Sequence, residues 1–155
     1  MKGLVIILAI IIGRLFIPAG LKEEFIDPTG TYILKGAVVK NRITGHSGEM
    51  RVKLLDRSKV ALCFFISKGY PGYESGSFID TLLYRDNQAL YTPAADSDCT
   101  IIFCFSHKVA EIRQIYIDPQ CSCGFGRDIM ISTFFEKSSG DKPIIQDLSA
   151  HGISP

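Results

Sequence analysis

An antiparallel up-and-down β-barrel of about eight strands is the fold class this sequence predicts, and three observations carry it. Short runs of β-branched and aromatic residues follow one another, separated by turn signals rather than by helical spacing. Several of them alternate apolar and polar residues, as half-buried strands do. The connections are short, with no long Greek-key crossover, so consecutive segments are expected to pair as a meander and to close on themselves, which removes exposed edges.

Taken in order, residues 21–28 are a polar approach, with a helical turn as one form it could take, ending in the turn signal Asp27 and Pro28. The first strand is expected over 30–39, GTYILKGAVV, with a bulge or bend at Gly36. His46, Ser47 and Gly48 read as a turn, after which 49–55, EMRVKLL, places Met50, Val52 and Leu54 on one side. A turn at 56–58 leads to 60–67, VALCFFIS, which is apolar on both faces and suits a narrow barrel with an aromatic filling. The longest turn-rich insertion in the body of the chain is 68–76, KGYPGYESG. Strands over 77–84 and 88–92 flank Arg85, Asp86 and Asn87, a polar hairpin connection. Residues 99–137, CTIIFCFSHKVAEIRQIYIDPQCSCGFGRDIMISTFFEK, supply the last three strands, over 100–105, 109–117 and 128–135. Residues beyond 137 form a tail holding Pro143, Gly152 and Pro155.

A chain of 155 residues suits one domain with one core, and its 46% hydrophobic and 21% charged content is that of a globular protein. The first nineteen residues, MKGLVIILAIIIGRLFIPA, join a basic start at Lys2 to an uncharged apolar run and then to Ile17 and Ala19 at the positions before a cleavage point. They read as a secretory signal peptide; the run, stopped by Arg14, is too short to span a bilayer, which takes about 20 residues. The alternative is an uncleaved anchor with Arg14 at the interface. Loss of Lys2 and Arg14 with the leader leaves 15 basic against 16 acidic residues, a formal charge of −1. Neither nucleic acid nor stable membrane insertion after cleavage is expected from that balance. The domain plan is thus a leader over 1–19, a barrel over 20–137 and a C-terminal tail over 138–155, in an exported, periplasmic or extracellular protein.

Five cysteines, Cys63, Cys99, Cys104, Cys121 and Cys123, follow the leader, and export makes a disulfide the default for at least two of them. A three-strand meander brings the end of the 109–117 segment beside the start of 100–105, so Cys121 or Cys123 comes within reach of Cys99. Cys99 with Cys123 is the first choice and Cys99 with Cys121 the second. Cys63 and Cys104 sit inside apolar runs and read as core thiols, able to pair if their strands are neighbours. A zinc site built from Cys99, Cys104, Cys121 and Cys123 has the wrong spacing and the wrong compartment. In CSCGFGR, two glycines beside Arg127 make a weak anion cradle; the plainer reading has Gly124 and Gly126 turning the backbone around the disulfide while Phe125 plugs the barrel end.

No catalytic constellation is nominated. His46, His107 and His151 are scattered, Asp96 and Asp98 lack the rest of a calcium loop, and Glu111 with Arg113 reads as a surface pair. No cofactor and no metal are expected. The KGYPGYESG loop does draw notice, because Tyr70 and Tyr73 on a segment too polar and kinked for the core offer broad contact area with few rotors to freeze. The plainer reading is a hairpin connection whose tyrosines pack over the barrel mouth.

The order Gly30, Thr31, Tyr32, then GSFIDTLLY, QALYT, DCTIIFCF, and CGFG before a strand ending in Phe-Glu-Lys, resembles a family of small secreted calycin-like β-barrel domains. The likeness covers residues 30–137, and its most specific element is Cys99 opening a late strand with Cys123, Gly124, Phe125 and Gly126 before the last. Cys63, Cys104 and Cys121 lie outside the pattern, and Ser132, Thr133, Phe134 and Phe135 stand where members often have a Gly-Thr-Tyr-like ending. The resemblance implies the barrel and an envelope location; most members have no assigned activity, and related barrels occur among bacterial lysozyme inhibitors. One group of those inhibitors enters the enzyme's cleft with an exposed Ser-Gly-Ser loop beside a tyrosine. Ser75, Gly76 and Ser77 lie near Tyr70 and Tyr73, though at a different place in the strand order. The expected function is a non-enzymatic binding module that uses its loops, Tyr70, Tyr73, Ser75 and Ser77 among them, against a lysozyme or another envelope or host protein. The alternative is a carrier of a small apolar ligand in the barrel interior.

Overall fold

The structure, a computed structural model, describes residues 24–116, 122–126, 129 and 132–145. The expected leader, Cys121, Arg127, His151 and the end of the tail lie outside the described residues. Ten strands are formed among them: β1 (Gly30–Leu34), β2 (Ala37–Val39), β3 (Arg42–Thr44), β4 (His46–Asp56), β5 (Lys59–Lys68), β6 (Ser75–Arg85), β7 (Gln88–Tyr91), β8 (Cys99–Phe105), β9 (Val109–Tyr116) and β10 (Ser132–Ser139). Eight of these close a barrel in the order β1-β10-β9-β8-β7-β6-β5-β4, every neighbouring pair antiparallel, and β1 completes the ring against β4. The all-β barrel expected from the sequence is the fold observed. Strands β2 and β3 stand apart as a two-stranded sheet.

Three expectations need correction. The segment 30–39 is not one strand with a bulge: β4 ends its pairing with β1 at Leu34↔Gly48, so the chain leaves the wall there and returns as a hairpin. His46, Ser47 and Gly48 are strand rather than turn, because Gly45, at φ 73°, takes the turn and frees them to pair with Lys68, Ser67 and Ile66. The last strand runs to Ser139 instead of stopping at Phe135. Its polar end is held by pairing with β1, at Ile33↔Glu136, Tyr32↔Lys137 and Thr31↔Ser139, which apolar content does not announce.

Alternation fills the interior. Val60, Leu62, Phe64 and Ile66 of β5 point inward and are buried, as are Met50 and Val52 of β4, while Glu49 and Arg51 form an ion pair outside. Phe64 stands on the barrel axis, its ring 5.6 Å from Phe78, Phe103 and Phe135 and 6.1 Å from Phe125. A second tier joins Phe105 to Tyr32 and Tyr84 at 5.8 and 5.9 Å. Rings packed at these separations leave the axis occupied by side chains.

The two ends differ. One is the turn end, with tight connections at 57–58, 86–87 and 106–108. Residues 24–28 lie across it: the Tyr84 hydroxyl donates to the Ile26 carbonyl, the Tyr32 hydroxyl to that of Pro28 and Asn87 Nδ2 to that of Glu24, while the Ile26 amide donates to Asn87 Oδ1. These residues are a lid tied down by buried polar groups, and residues 24–28 form no helical turn. The other is the loop end, where the β2–β3 hairpin and the connections β5–β6, β7–β8 and β9–β10 gather.

Candidate functional site

The loop end is assembled by three segments that hold one another. The first is the hairpin, turned by Lys40 and Asn41 at φ 49° and 59°, the paired left-handed residues of a type I′ turn, with Val38 opposite Ile43 and Val39 opposite Arg42. The second is the β5–β6 loop. Its base is clasped by the Lys68 amide donating to the Glu74 carbonyl, and the loop is strapped to β3 by the Gly69 amide on the Gly45 carbonyl and the Tyr70 amide on the Ile43 carbonyl, all at 2.8 Å. Only glycine fits at 69, since a Cβ there would collide with the Ile43 carbonyl.

The third segment is the Cys-Gly cluster. Cys99 at the start of β8 is joined to Cys123, with Cα atoms 5.2 Å apart, so the first-choice pairing is the one formed. Asp96 orients the cluster: its Oδ2 accepts the amides of Ser122 and Cys123 at 3.1 and 3.0 Å. Phe125 then drops into the barrel mouth beside Phe64, and Gly76 is the position that admits it, because a Cβ on residue 76 would strike the Phe125 ring. Cys123 and Gly124 are the left-handed residues of this turn, whereas the sequence reading gave that part to Gly124 and Gly126. Gly126 instead makes room for the Glu74 side chain, which ties the cluster to the second loop.

On top of this platform sit apolar side chains that face water. Val38 is 71% exposed and Tyr73 64%, and Val39, Ile43 and Tyr70 are each about half exposed. The rings of Tyr70 and Tyr73 meet edge to face at 6.2 Å, and the Arg42 guanidinium lies 4.7 Å from the centre of the Tyr70 ring. Val39, Lys40, Arg42, Thr44 and Tyr70 line an open depression of about 420 Å3. The structure thus brings the two predicted tyrosines together. It does not bring Ser75 and Ser77 to them as a loop: both are residues of β6, paired with Ser67 and Phe65 and exposed on the barrel wall, with the buried Gly76 between. A protruding Ser-Gly-Ser finger is not what this chain presents.

The hairpin residues Val38, Val39, Arg42 and Ile43 were missed by sequence reasoning. The signal was present as two β-branched pairs around Lys40 and Asn41, but it was absorbed into an over-long first strand. Cys63 and Cys104 are not core thiols either. Both are half-buried on the outer wall, Cys63 opposite Arg51 and Cys104 accepting from Arg113 at 3.1 Å, on strands that are not neighbours. Partial burial pushes the Cys63 thiol pKa up. With Cys99 and Cys123 consumed in a disulfide, a four-thiolate zinc site cannot form. Glu111 and Arg113 do form the expected surface pair, at 3.6 Å. His46 lies at the loop end and His107 in the β8–β9 turn at the opposite end, so these two cannot share a site. Comparison of the chain with protein families, with curated proteins and with solved structures found no match in any of the three.

Proposed function

We propose that this chain is an exported, non-enzymatic binding module that recognises a protein partner through the loop end of its barrel. The observation that carries the reading is Tyr73. It is exposed and non-glycine, yet its backbone sits at φ 54°, a conformation that disfavours residues other than glycine, asparagine and aspartate. A ring displayed at such cost, edge to face with a second tyrosine on a platform locked by a disulfide, is what an aromatic anchor for a partner requires. The disulfide fits an oxidising compartment. The interior supports the same reading, since it is filled by apolar rings where a membrane-spanning barrel has a polar lumen, while the outer wall mixes the Glu49 and Arg51 pair with exposed apolar side chains such as Phe65, Leu83 and Phe134.

The partner class that the sequence resemblance suggests is a lysozyme. Contact in this chain falls to Tyr70, Tyr73 and the hairpin, because Ser75 and Ser77 are held in the wall. Carriage of an apolar molecule inside the barrel is the weaker reading, since it requires the rings around Phe64 to part. Mature protein titrated into several lysozyme types is the direct test: inhibition or co-elution with at least one is expected, and it should vanish in a Tyr70→Ala/Tyr73→Ala variant whose melting temperature is kept. Inhibition unchanged by the double substitution removes the loop end as the binding surface, and no complex with any lysozyme removes that partner class.

A further inference from the structure

The hairpin carries a second feature that the tyrosine anchors do not use. Ile43 gives its carbonyl to the Tyr70 amide, on the side of β3 facing away from β2. Val38 is its partner in register. In an antiparallel pair, two residues that direct their backbone groups away from each other do so together, so Val38 turns its N–H and C=O to the outer edge of β2. Nothing pairs with that edge among the described residues, and Ala37, Val38 and Val39 are all exposed. The sheet is therefore anchored along β3 and open along β2, in a two-stranded form that is marginal by itself in water.

The edge is also charged in one sense. No acidic residue occurs between Asp27 and Glu49, and Lys35, Lys40 and Arg42 all fall in that interval, in a chain whose total charge is near zero. Lys35 and Lys40 flank β2, where they repel a second copy of the same edge and attract a strand bearing carboxylates. Beside them the depression lined by Val39 and the Tyr70 ring offers apolar cover next to Lys40 and Arg42. A segment alternating acidic and apolar residues matches this pattern, since its side chains repeat with the period of the strand it would join.

We propose that an extended, acidic segment of a partner protein docks on the open edge of β2, adding a third strand to the hairpin with its carboxylates at Lys35 and Lys40. This rests on the reading of the loop end as the binding surface. The test uses the mature protein and capped peptides of about ten residues alternating Glu and Val, Gln and Val, or Lys and Val, followed by fluorescence anisotropy and by amide shifts in a nitrogen-15 spectrum. The Glu peptide is expected to bind, to shift and protect the amides of β2, and to weaken by about tenfold between low and physiological salt. Lys35→Glu/Lys40→Glu should weaken it at least tenfold, on the order of 1.4 kcal/mol. Val38→Pro should abolish binding by removing the outward N–H, while Val38→Thr, which keeps that N–H, retains it; amide dispersion of both variants checks that the barrel is intact.

Equal binding of the Gln peptide overturns the acidic preference. Indifference to Val38→Pro overturns strand addition, and full competition by inorganic phosphate reduces the site to an anion patch. Shifts in β2 that grow with protein concentration alone assign the edge to a second copy. If a partner still depends on Tyr70 and Tyr73 while all three peptides fail, only this proposal falls; if the tyrosine substitutions change nothing, the reading beneath it falls as well.

Discussion

Tyr73 gives the residue scale its clearest test. Relief of a left-handed backbone is worth about 1–2 kcal/mol, so Tyr73→Gly is expected to raise stability slightly in a denaturant titration while removing partner capture. A variant that is both more stable and inactive separates function from folding; a loss of stability would mean that the ring packs instead of binding. Tyr32 offers a pH test. Burial, with smaller contributions from Tyr84 and Asp27, holds its phenol well above the usual tyrosine range. The unfolded chain gives up that proton near pH 10 and the folded chain keeps it. Stability from this group is complete below about pH 10 and declines as pH rises beyond it through the folded value. Melting temperature followed from pH 8 to about 11 should fall less steeply at the alkaline end in Tyr32→Phe than in the parent. The substitution itself costs about 1 kcal/mol at neutral pH, through the lost bond to the Pro28 carbonyl. None of this was legible in the sequence, where Tyr32 was one of six tyrosines on an expected strand and nothing marked it as buried.

At the scale of elements, the wall has a seam. Strand β5 pairs with β6 from Lys59↔Leu83 to Ser67↔Ser75, but β6 meets β7 only at Tyr84↔Ala89 and Arg85↔Gln88. Beyond that point the Phe78 and Tyr91 rings bridge the gap, stacked at 3.6 Å. Asp80 occupies an inward-parity position of β6 yet is exposed, and its carboxylate accepts the amide of Thr81. A charged side chain at an unpaired edge opposes strand addition by another molecule. Asp80→Val is therefore expected to produce concentration-dependent association, seen in sedimentation velocity, with the monomer fold kept; a variant that stays monomeric removes that role from Asp80. The sequence announced most strands well, because alternation is local, and it placed the turn at Asp86 and Asn87 correctly. It failed where one apolar run serves two sheets, as at 30–39, since the change of partner at Leu34 is a long-range event with no local mark.

For the whole molecule, the disulfide and the aromatic axis act together. The Cys99–Cys123 link spans 24 residues of sequence and holds Phe125 over Phe64, so Cys99→Ser/Cys123→Ser should cost about 3 kcal/mol by releasing the unfolded chain. The same variant should loosen the loop end before the turn end, which hydrogen exchange of the β8–β9 amides can follow; uniform loss of protection would deny the clasp its local role. By itself the sequence determined the fold class, the meander and the first-choice cysteine pair, because alternation, turn chemistry and cysteine spacing along adjacent strands are properties of neighbouring residues. Only the tertiary structure decided that the hairpin leaves the wall, that Ser75 and Ser77 stay in it, and that Val38, Arg42, Tyr70 and Tyr73 share one end. Those facts depend on contacts between residues far apart in the chain, and a period of two is the same whichever strand a segment joins.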